Sequence, residues 1–391
     1  MLTVASLLAS CQKEELDPSE RFTKIYDSFR SDAAFYPIDV VATTTGFIIL
    51  ASQTTDQSSF RAIQVIELDE EGNFVRTVEF PAANYVIPIG DLVDIDSTYY
   101  FFGMEPVSLQ AQLFSMTADL SDSVSVSPVV GAAYPLAASR TAAGQLLLLS
   151  YDINSQETVI STVDTDGSAG GAEGRYTIGA GNEVEPEILE HYLDPERSAQ
   201  PFFCGEYAPG QVYFNGFYNF SLSLVFSGFG GSPTGVLQGQ GTNGGVTCVM
   251  PVQGSNFGVF GFQYNDNFIL PNEPLATSGL ASSVDLLSSS VTEFSSRTPA
   301  DIEVLTLDNT TYTIFAAETE TRQVALYFFD TSTNELAGIH KIGYLNPYTL
   351  SSIRLDNENN LLVLGTTYVS GRFKRIFLSK IPEGDLRGIV D

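Results

Sequence analysis

The chain has 391 residues, of which 43% are hydrophobic and only 17% are charged, and acidic residues outnumber basic ones 47 to 18. The resulting formal net charge of −29 argues against a nucleic-acid partner, because phosphate binding needs clustered Lys and Arg side chains. The apolar fraction is ample for a core, but no run of about 20 apolar residues is present, so the sequence predicts no membrane-spanning helix.

The N-terminus has a secretory pattern. The run Met1–Ser10 (MLTVASLLAS) is apolar, ends in small residues and is followed by Cys11. Leu8–Cys11 resembles the bacterial lipobox, which implies a signal peptide over residues 1–10 and lipidation of Cys11. The run is short and lacks a basic start, so the true initiator Met is left open. Residues 11–21 then form an acidic tether, and the lipid anchors the protein without spanning the membrane.

The residues after Cys11 indicate a compartment. Gln12–Glu15 (QKEE) is similar to the acidic tag, with a leading Gln-Lys, that sends Bacteroidetes lipoproteins to the outer face of the outer membrane. The resemblance implies a protein held at the outer membrane by its lipid and exposed at the cell surface. A plain periplasmic lipoprotein is the alternative.

Beyond the tether, one pattern recurs along the chain. Its two clearest copies are Ile38–Phe80 and Leu350–Leu386. A unit of roughly 50 residues with three or four short strands cannot bury its faces alone, so copies must stack, and radial stacking gives a β-propeller. First strands fall near residues 38, 90, 136, 188, 246, 301 and 350. The sequence therefore predicts an all-β fold, in which residues 22–391 form one seven-bladed β-propeller of four-stranded antiparallel blades.

Two parts of the repeat are less regular. The fourth blade is degenerate, and we expect its first strand near residue 188 and its second strand at Pro201–Glu206. The Gly-rich stretch Gly228–Gly245 is interpreted as a mobile loop between blades. The fifth blade then contains the aromatic run Phe257–Tyr264.

The two ends of the chain predict how the propeller closes. The last repeat has three clear strands, and an unpaired strand, Phe22–Tyr26, precedes the first repeat. We expect this N-terminal strand to complete the last blade at its outer edge. An open seam would leave a row of backbone groups without hydrogen-bond partners.

The same residues carry a family resemblance. The order FTKIYD, DVVATTTGFIILASQT, IELDEEGN is similar to the repeat of secreted Bacteroidetes β-propellers, in which a KxYG strand precedes an xDGGYIIxGxT hairpin and a KLDxxGN turn. It covers the first and last repeats well, and Thr45–Ile49 replaces the Asp-Gly-Gly-Tyr core. The resemblance implies the fold and the compartment, but no reaction, because the family has no single assigned activity.

Few residues suit metal binding or nucleophilic catalysis. The two histidines, His191 and His340, are far apart in sequence, and no His/Cys cluster has zinc spacing. Cys204 and Cys248 are expected to be buried free thiols, although neighbouring blades would also allow them to pair. Asp164–Gly167 has two carboxylates on a turn but lacks the later ligands of a calcium loop. The sequence thus predicts no metal, no cofactor and no hydrolytic triad.

Carboxylates on the first strands are the remaining candidates for catalysis. Asp39, Asp91, Asp94 and Asp301 fall on these strands, as does Glu303. Propeller glycosidases place Asp and Glu there, facing the central channel, as an acid and a nucleophile or base. The alternative is a structural role, in which the carboxylates accept hydrogen bonds from backbone amides.

Tyrosines recur beside or near proline where the chain enters first strands, at Tyr36, Tyr85, Tyr134 and Tyr348. Such loops cluster around the mouth of the channel, where the rings and hydroxyls would form a platform for carbohydrate or peptide. The alternative is that each ring is a wedge between adjacent blades.

These patterns favour a binding or scaffold protein at the outer surface, which presents one propeller face to a cell-envelope partner or an extracellular polymer. The alternative is a glycoside hydrolase or polysaccharide lyase that uses channel-facing carboxylates. Two carboxyl groups about 5 to 10 Å apart in an open funnel would favour the enzyme. A channel filled by apolar side chains would favour binding or scaffolding. The expected partners are the membrane, through the lipid, and a protein or glycan.

Overall fold

The structure is a computed structural model. It describes residues 20–26, 33–56, 58–120, 124–179, 183–194, 201–286, 290–368 and 373–390. The predicted signal peptide, the lipidation site Cys11 and all but the end of the predicted tether lie outside the described residues.

The described residues form an almost entirely β structure with two short α-helices. The first nine strands are β1 (Phe22–Tyr26), β2 (Phe35–Thr43), β3 (Gly46–Gln53), β4 (Ala62–Leu68), β5 (Phe74–Glu79), β6 (Val86–Ile95), β7 (Thr98–Met104), β8 (Gln110–Met116) and β9 (Ser125–Ala133). The middle of the chain contains β10 (Pro135–Arg140), β11 (Leu146–Asp152), β12 (Glu157–Val163), β13 (Ala169–Thr177), α1 (Glu185–Leu193), β14 (Phe203–Ala208), β15 (Gln211–Tyr218), β16 (Ser221–Ser227) and β17 (Gly235–Gln238). The last part contains β18 (Gly244–Gln253), β19 (Asn256–Gln263), β20 (Asp266–Glu273), β21 (Gly279–Ser282), β22 (Ser290–Val291), β23 (Ala300–Leu307), β24 (Thr310–Glu318), β25 (Val324–Asp330), β26 (Leu336–Ile342), β27 (Tyr348–Leu355), β28 (Leu361–Tyr368), β29 (Lys374–Ile381) and α2 (Glu383–Val390).

The strands form antiparallel sheets of four, which we number along the chain. Sheets 1 to 4 are β2–β5, β6–β9, β10–β13 and β14–β17, and sheets 5 to 7 are β18–β20 with β22, β23–β26, and β27–β29 with β1. Sheets 1 and 2 also share one residue pair, Ala62 with Val86, which joins them into one eight-stranded sheet. The prediction of an all-β chain built from four-stranded antiparallel sheets is confirmed.

Burial explains why the sequence patterns differ between strands. Every residue of β3 is buried, because neighbouring sheets cover both of its faces, whereas β5 at the outer edge is almost fully exposed. A strand covered on both sides reads as a continuous apolar run, and the outermost strand is polar. The core therefore lies between the sheets and continues from one sheet to the next.

The N-terminal strand pairs where the sequence predicts it. β1 is antiparallel to β29 of the last sheet, in a register from Phe22 opposite Lys380 to Tyr26 opposite Ile376. Its side chains also reach the first sheet, because the ring of Phe22 lies 5.9 Å from that of Phe47 in an edge-on arrangement. The start of the described chain thus joins the last sheet through its backbone and the first sheet through its side chains.

The first strands of the sheets lie side by side at the centre. Contacts run in the order β2, β6, β10, β14, β18, β23 and β27, and β27 again contacts β2. We call the side where these first strands begin the upper face. The upper face also carries the hairpins that join second to third strands. In two of these hairpins, the backbone amides of Phe220 and Tyr264 donate hydrogen bonds to the linkers that lead into sheets 4 and 5. The opposite side is the lower face.

The fourth repeat differs from the sequence prediction. Helix α1 occupies the position near residue 188 where a first strand is expected, and Phe203–Ala208 is the first strand of sheet 4 rather than the second. Pro186 in the first helical turn and the acidic Glu185 and Glu187 beside it are ordinary signals for the start of a helix. The prediction was wrong because an acidic, polar stretch was taken for a loop that leads into a strand.

One strand from the segment between β20 and β22 of sheet 5 pairs with sheet 4. After β20 the chain leaves sheet 5, and β21 adds in parallel to the outer edge of β17 in sheet 4 before the two-residue strand β22 returns to β20. At the C-terminus, α2 follows β29 and packs on β26, where Ile389 lies against Gly338. The sequence analysis predicts neither feature.

Candidate functional site

Acidic side chains of the first strands surround one arginine at the centre. Arg354 on β27 forms a two-pronged ion pair with Asp39 on β2, with Nε–Oδ1 and Nη2–Oδ2 distances of 3.1 and 2.8 Å. The same Nη2 atom lies 2.8 Å from Oδ1 of Asp91 on β6. Asp301 and Glu303 on β23 interact electrostatically with the same guanidinium. We call these five residues the central cluster.

Two members of the central cluster also join adjacent first strands. Asp39 accepts hydrogen bonds from its neighbour Val40 N and, at 2.8 Å, from Leu92 N in sheet 2. Asp301 repeats the pattern, because it accepts the amide of Ile302 at 2.8 Å and the amide of Ile353 in sheet 7, also at 2.8 Å. These carboxylates therefore have the structural role that the sequence analysis leaves open as an alternative.

The ionisation of the central cluster follows from its enclosure. Burial raises the pKa of Asp301 to about 7, and burial likewise raises the pKa of Glu303. Desolvation by the surrounding first strands also raises the pKa of Asp91, although 47% of its side chain is open to solvent. Burial lowers the pKa of Arg354, but Asp39 and Asp91 outweigh this effect and hold that pKa well above its usual value. The arginine is thus a permanent cation among the acids.

The geometry limits what the carboxylates can do chemically. Asp39 Oδ2 and Asp91 Oδ1 each lie 2.8 Å from the same nitrogen, so they are less than about 6 Å apart, close to the spacing in retaining glycosidases. The guanidinium that holds both carboxylates occupies the position a scissile bond would need, and Asp39 is buried. Neither carboxylate is free to attack a substrate.

Asp94 does not join the central cluster. It is exposed near the lower end of β6, where its carboxylate accepts the Ser97 amide at 3.1 Å in the following turn. The pairing of β6 with β7 is irregular between Ile89 and Val93, and this places Asp91 and Asp94 in different surroundings. Sequence reasoning identified Asp39, Asp91 and Asp301 but did not single out Arg354, although an arginine on a predicted first strand was a usable signal.

Helix α1 extends over the upper ends of several first strands. The hydroxyl of Tyr192 donates to the carbonyl of Pro135 at 2.8 Å, and Arg61 of sheet 1 donates to the Tyr192 carbonyl at 3.4 Å. Ile188 and Tyr192 are fully buried in an apolar cluster with first-strand residues of sheets 2 and 3, among them Leu136. Helix α1 therefore covers the upper ends of the first strands of sheets 2 and 3 with apolar side chains.

The four candidate tyrosines lie where predicted, at the upper starts of first strands, and all are at least half-buried. Tyr134 donates to Glu185 of α1, and Tyr36 lies beneath the cations of Arg61 and Lys374 at 5.4 and 5.6 Å from its ring centre. The other two rings meet aromatic neighbours edge-on, Tyr85 against Phe80 and Phe114, and Tyr348 against Phe377. Each ring therefore packs against its neighbours, as the wedge alternative describes, and a binding role stays a prediction.

A cleft of about 680 Å³ lies between sheets 4 and 5 on the upper face. One wall is the segment Gly239–Gly245, which belongs to the stretch that the sequence analysis interprets as a mobile loop. Other lining residues are Asn215, Phe217, Phe220, Phe262 and Arg297. The sequence signal was present but unused: the Gly-rich segment leads into β18, and the aromatic run that forms β19 comes next.

The two histidines, Cys204 and Cys248 lie in the described part of the chain. His191 is buried on α1 with its ring edge-on to Phe202, and burial lowers the pKa of His340, which is half-buried on β26. Cys204 and Cys248 are free thiols, and burial raises the pKa of Cys204 to about 12. Within the described ranges, no group of three or more His, Cys, Asp or Glu side chains is arranged to hold a metal ion.

In the acidic turns of the lower face, aspartate side chains accept hydrogen bonds from backbone amides of the same turn. Asp69 accepts the backbone amide of Asn73 at 2.6 Å, and Asp356 accepts those of Glu358 and Asn360, both at 2.9 Å. Such side-chain to backbone bonds stabilise hairpin turns. These two carboxylates therefore stabilise the turns in which they lie.

Comparisons with known proteins concern the fold. No family model and no curated protein matches the chain. Among similar solved structures are the beta-propeller domain of the Trilobed protease from Pyrococcus furiosus, which is 10% identical over 90% of this chain and 94% of that one with a TM-score of 0.49, and the Dos1 propeller, which is 9% identical over 92% and 95% with a TM-score of 0.48. A mutant of AofleA from Arthrobotrys oligospora is 11% identical over 93% and 90%, with a TM-score of 0.43. The chain thus has propellers among its structural neighbours, and this likeness says nothing about function.

In the described part of the chain, neither helix has the length and apolar character needed to cross a bilayer.

Proposed function

We propose that the chain is a lipid-anchored, seven-bladed β-propeller that acts at the outer cell surface as a binding or scaffold protein. The sheets are the blades, and the contacts of the first strands from β2 round to β27 and back to β2 support a closed ring. The pairing of β1 with β29 supports closure by both ends of the chain, with residues 22–391 as one domain.

The observation that carries a binding role is the filled centre. Arg354 forms ion pairs with Asp39 and Asp91, and backbone amides donate hydrogen bonds to Asp301. Helix α1 covers the upper ends of first strands in sheets 2 and 3 with apolar side chains. A hydrolase or lyase needs an open funnel with carboxylates free to reach a substrate. A rigid ring with a filled centre instead presents its loops to a partner.

The upper face is the contact surface in this proposal. Large apolar side chains stand exposed in its loops, with Tyr344 91% and Leu345 87% accessible between sheets 6 and 7, and Val107, Phe220 and Tyr264 on three hairpins. Exposed apolar groups in loops of one face mark an interaction site. The partner is a protein of the cell envelope or an extracellular polymer.

The proposed anchor orients this surface. Phe22 pairs with Lys380 at the lower end of β29, so the chain before β1 leaves from the lower face. A lipid on Cys11 would therefore hold the lower face toward the outer membrane and turn the upper face outward. An extended tether of eleven residues reaches at most about 40 Å.

The test uses full-length protein with Cys11→Ala, in a pull-down from the cell-envelope fraction and on a glycan array. Replacement of Val107, Tyr344 and Leu345 by Ser should abolish capture of the partner. The matched control replaces Phe74 and Val75, which are exposed at the lower end of β5, and should retain capture. Equal capture by both variants would refute a binding role for the upper face.

A glycoside hydrolase or polysaccharide lyase is the second candidate, and one observation favours it. Burial raises the pKa of Asp301 to about 7, a value that suits a general acid. If the protein cleaves polysaccharides on incubation with purified substrates and Asp301→Asn abolishes cleavage without unfolding, the enzyme replaces the binding protein as the function.

A further inference from the structure

The cleft between sheets 4 and 5 has the size and composition of a ligand site. Its volume of about 680 Å³ lies within the range of small-molecule pockets. Apolar rings of Phe217, Phe220 and Phe262 line it together with polar side chains, which include Asn215 and Gln240. Asn215 is buried and donates to the carbonyls of Pro201 and Val246, whereas Gln240 is exposed and donates to the Ser282 hydroxyl at 3.2 Å. A carbohydrate has both C–H faces for the rings and hydroxyls for the exposed amide.

Arg297 gives this cleft a positive charge. Its guanidinium lies 5.2 Å from the centre of the Phe262 ring and donates to the carbonyls of Thr242 at 2.8 Å and Tyr264 at 3.4 Å. No carboxylate of the described chain forms an ion pair with Arg297, although acidic residues outnumber basic ones 47 to 18. The ring and the two carbonyls therefore hold a guanidinium in place while its charge stays available to a carboxylate of a ligand.

Phe220 places an aromatic ring at the rim of the cleft at a conformational cost. The hairpin from β15 to β16 turns through Asn219 and Phe220, both in the left-handed region with φ of 44° and 74°. Glycine is the usual second residue of such a turn. Here the position carries a phenyl ring that is 62% exposed, although it lines the cleft. Residues held in strained backbone conformations concentrate at binding sites.

From these observations we infer that the cleft binds a uronic acid unit of an extracellular polysaccharide. Arg297 holds the carboxylate, Phe220 stacks on the face of the sugar ring, and the exposed amide of Gln240 meets a hydroxyl. Glu187 of α1 also lines the cleft and opposes the acidic ligand. This inference rests on the proposed function, because it names a ligand class for a protein that acts by binding.

The experiment measures the affinity of the full-length Cys11→Ala protein for tetramers of glucuronate, galacturonate, mannuronate and guluronate, each beside its uncharged methyl ester. Arg297→Gln should weaken binding of the acidic tetramer at least tenfold and leave the ester unchanged. Phe220→Asn, which tolerates the left-handed backbone, should weaken both forms. Glu187→Gln should strengthen binding of the acid only.

The chain offers a matched control for each contact. Arg322 lies in a loop of the upper face with a positive φ of 62°, and unlike Arg297 it is paired with a carboxylate, that of Glu318 at 3.9 Å. Arg322→Gln should therefore leave the affinity for every tetramer unchanged. Phe74 is similarly exposed, at 54%, on β5 without lining the cleft, and Phe74→Asn should retain binding.

The uronate assignment is overturned if every acidic tetramer binds no more tightly than its ester. It is equally overturned if Arg297→Gln and Arg322→Gln lose the same amount of affinity for the acidic tetramer. It is also overturned if Arg297 is needed instead for peptides with a free C-terminal carboxylate, which a peptide array tests in parallel. Its failure is distinguishable from that of the proposed function. If capture of the envelope partner still depends on Val107, Tyr344 and Leu345 while no uronate binds, the binding role stands and the ligand class is wrong.

Discussion

Closure by the N-terminal strand makes a quantitative prediction for Phe22. Its ring is 7% exposed, packs edge-on against Phe47 of sheet 1 and lies directly against Gly72 in the turn between β4 and β5. Phe22→Ala should therefore lower the free energy of unfolding by about 3 kcal/mol, the lower end of the range for a buried phenylalanine. Ile25 lies in the same strand but is 37% exposed, so Ile25→Ala should cost under about 1 kcal/mol.

Urea unfolding followed by far-UV circular dichroism measures both variants. With an m-value near 3 kcal/mol/M, the Phe22→Ala midpoint should fall by about 1 M, and the Ile25→Ala midpoint by a third of that or less. The comparison isolates the side-chain contact with sheet 1, because both variants keep the backbone pairing with β29. If the two midpoints agree within error, Phe22 does not join the two ends and the closure argument is wrong.

Three further outcomes are expected. Arg354→Met should destabilise the protein by about 3 to 5 kcal/mol in urea unfolding, because it removes the cation that pairs with Asp39 and Asp91, and adding Asp39→Asn should recover part of the loss. Because burial raises the pKa of Asp301 to about 7, its proton stabilises the folded state fully below about pH 4 and this contribution is lost as the pH rises through 7. Thermal melts should show this loss in the wild type and in the exposed-site control Asp94→Asn, but not in Asp301→Asn. Cys11→Ala should move the protein from the membrane fraction to the soluble fraction, and retention in the membrane would refute lipidation there.

The strands were predictable because their signals are local. Alternating apolar residues, a Gly at the turn after Asp69 and the unpaired strand Phe22–Tyr26 each specify a short element and its neighbour, so the four-stranded sheets and the pairing of β1 with β29 followed from the sequence. Helix α1 shows the limit of local patterns. Its N-terminal Pro and acidic residues were present, but a degenerate repeat had suggested a strand.

The sequence by itself determined the sheet-forming repeat and the pairing of the N-terminal strand β1 with the last sheet. Only the tertiary structure decided that Arg354 lies between Asp39 and Asp91, that Asp94 lies apart, and that Gly239–Gly245 and Phe262 line one cleft. The physical reason is that each strand carries its own local pattern and most strands pair with the next one along the chain, whereas side chains from different sheets meet according to strand register and the rotation between sheets. These are set by the whole assembly of sheets and leave no local pattern in the chain.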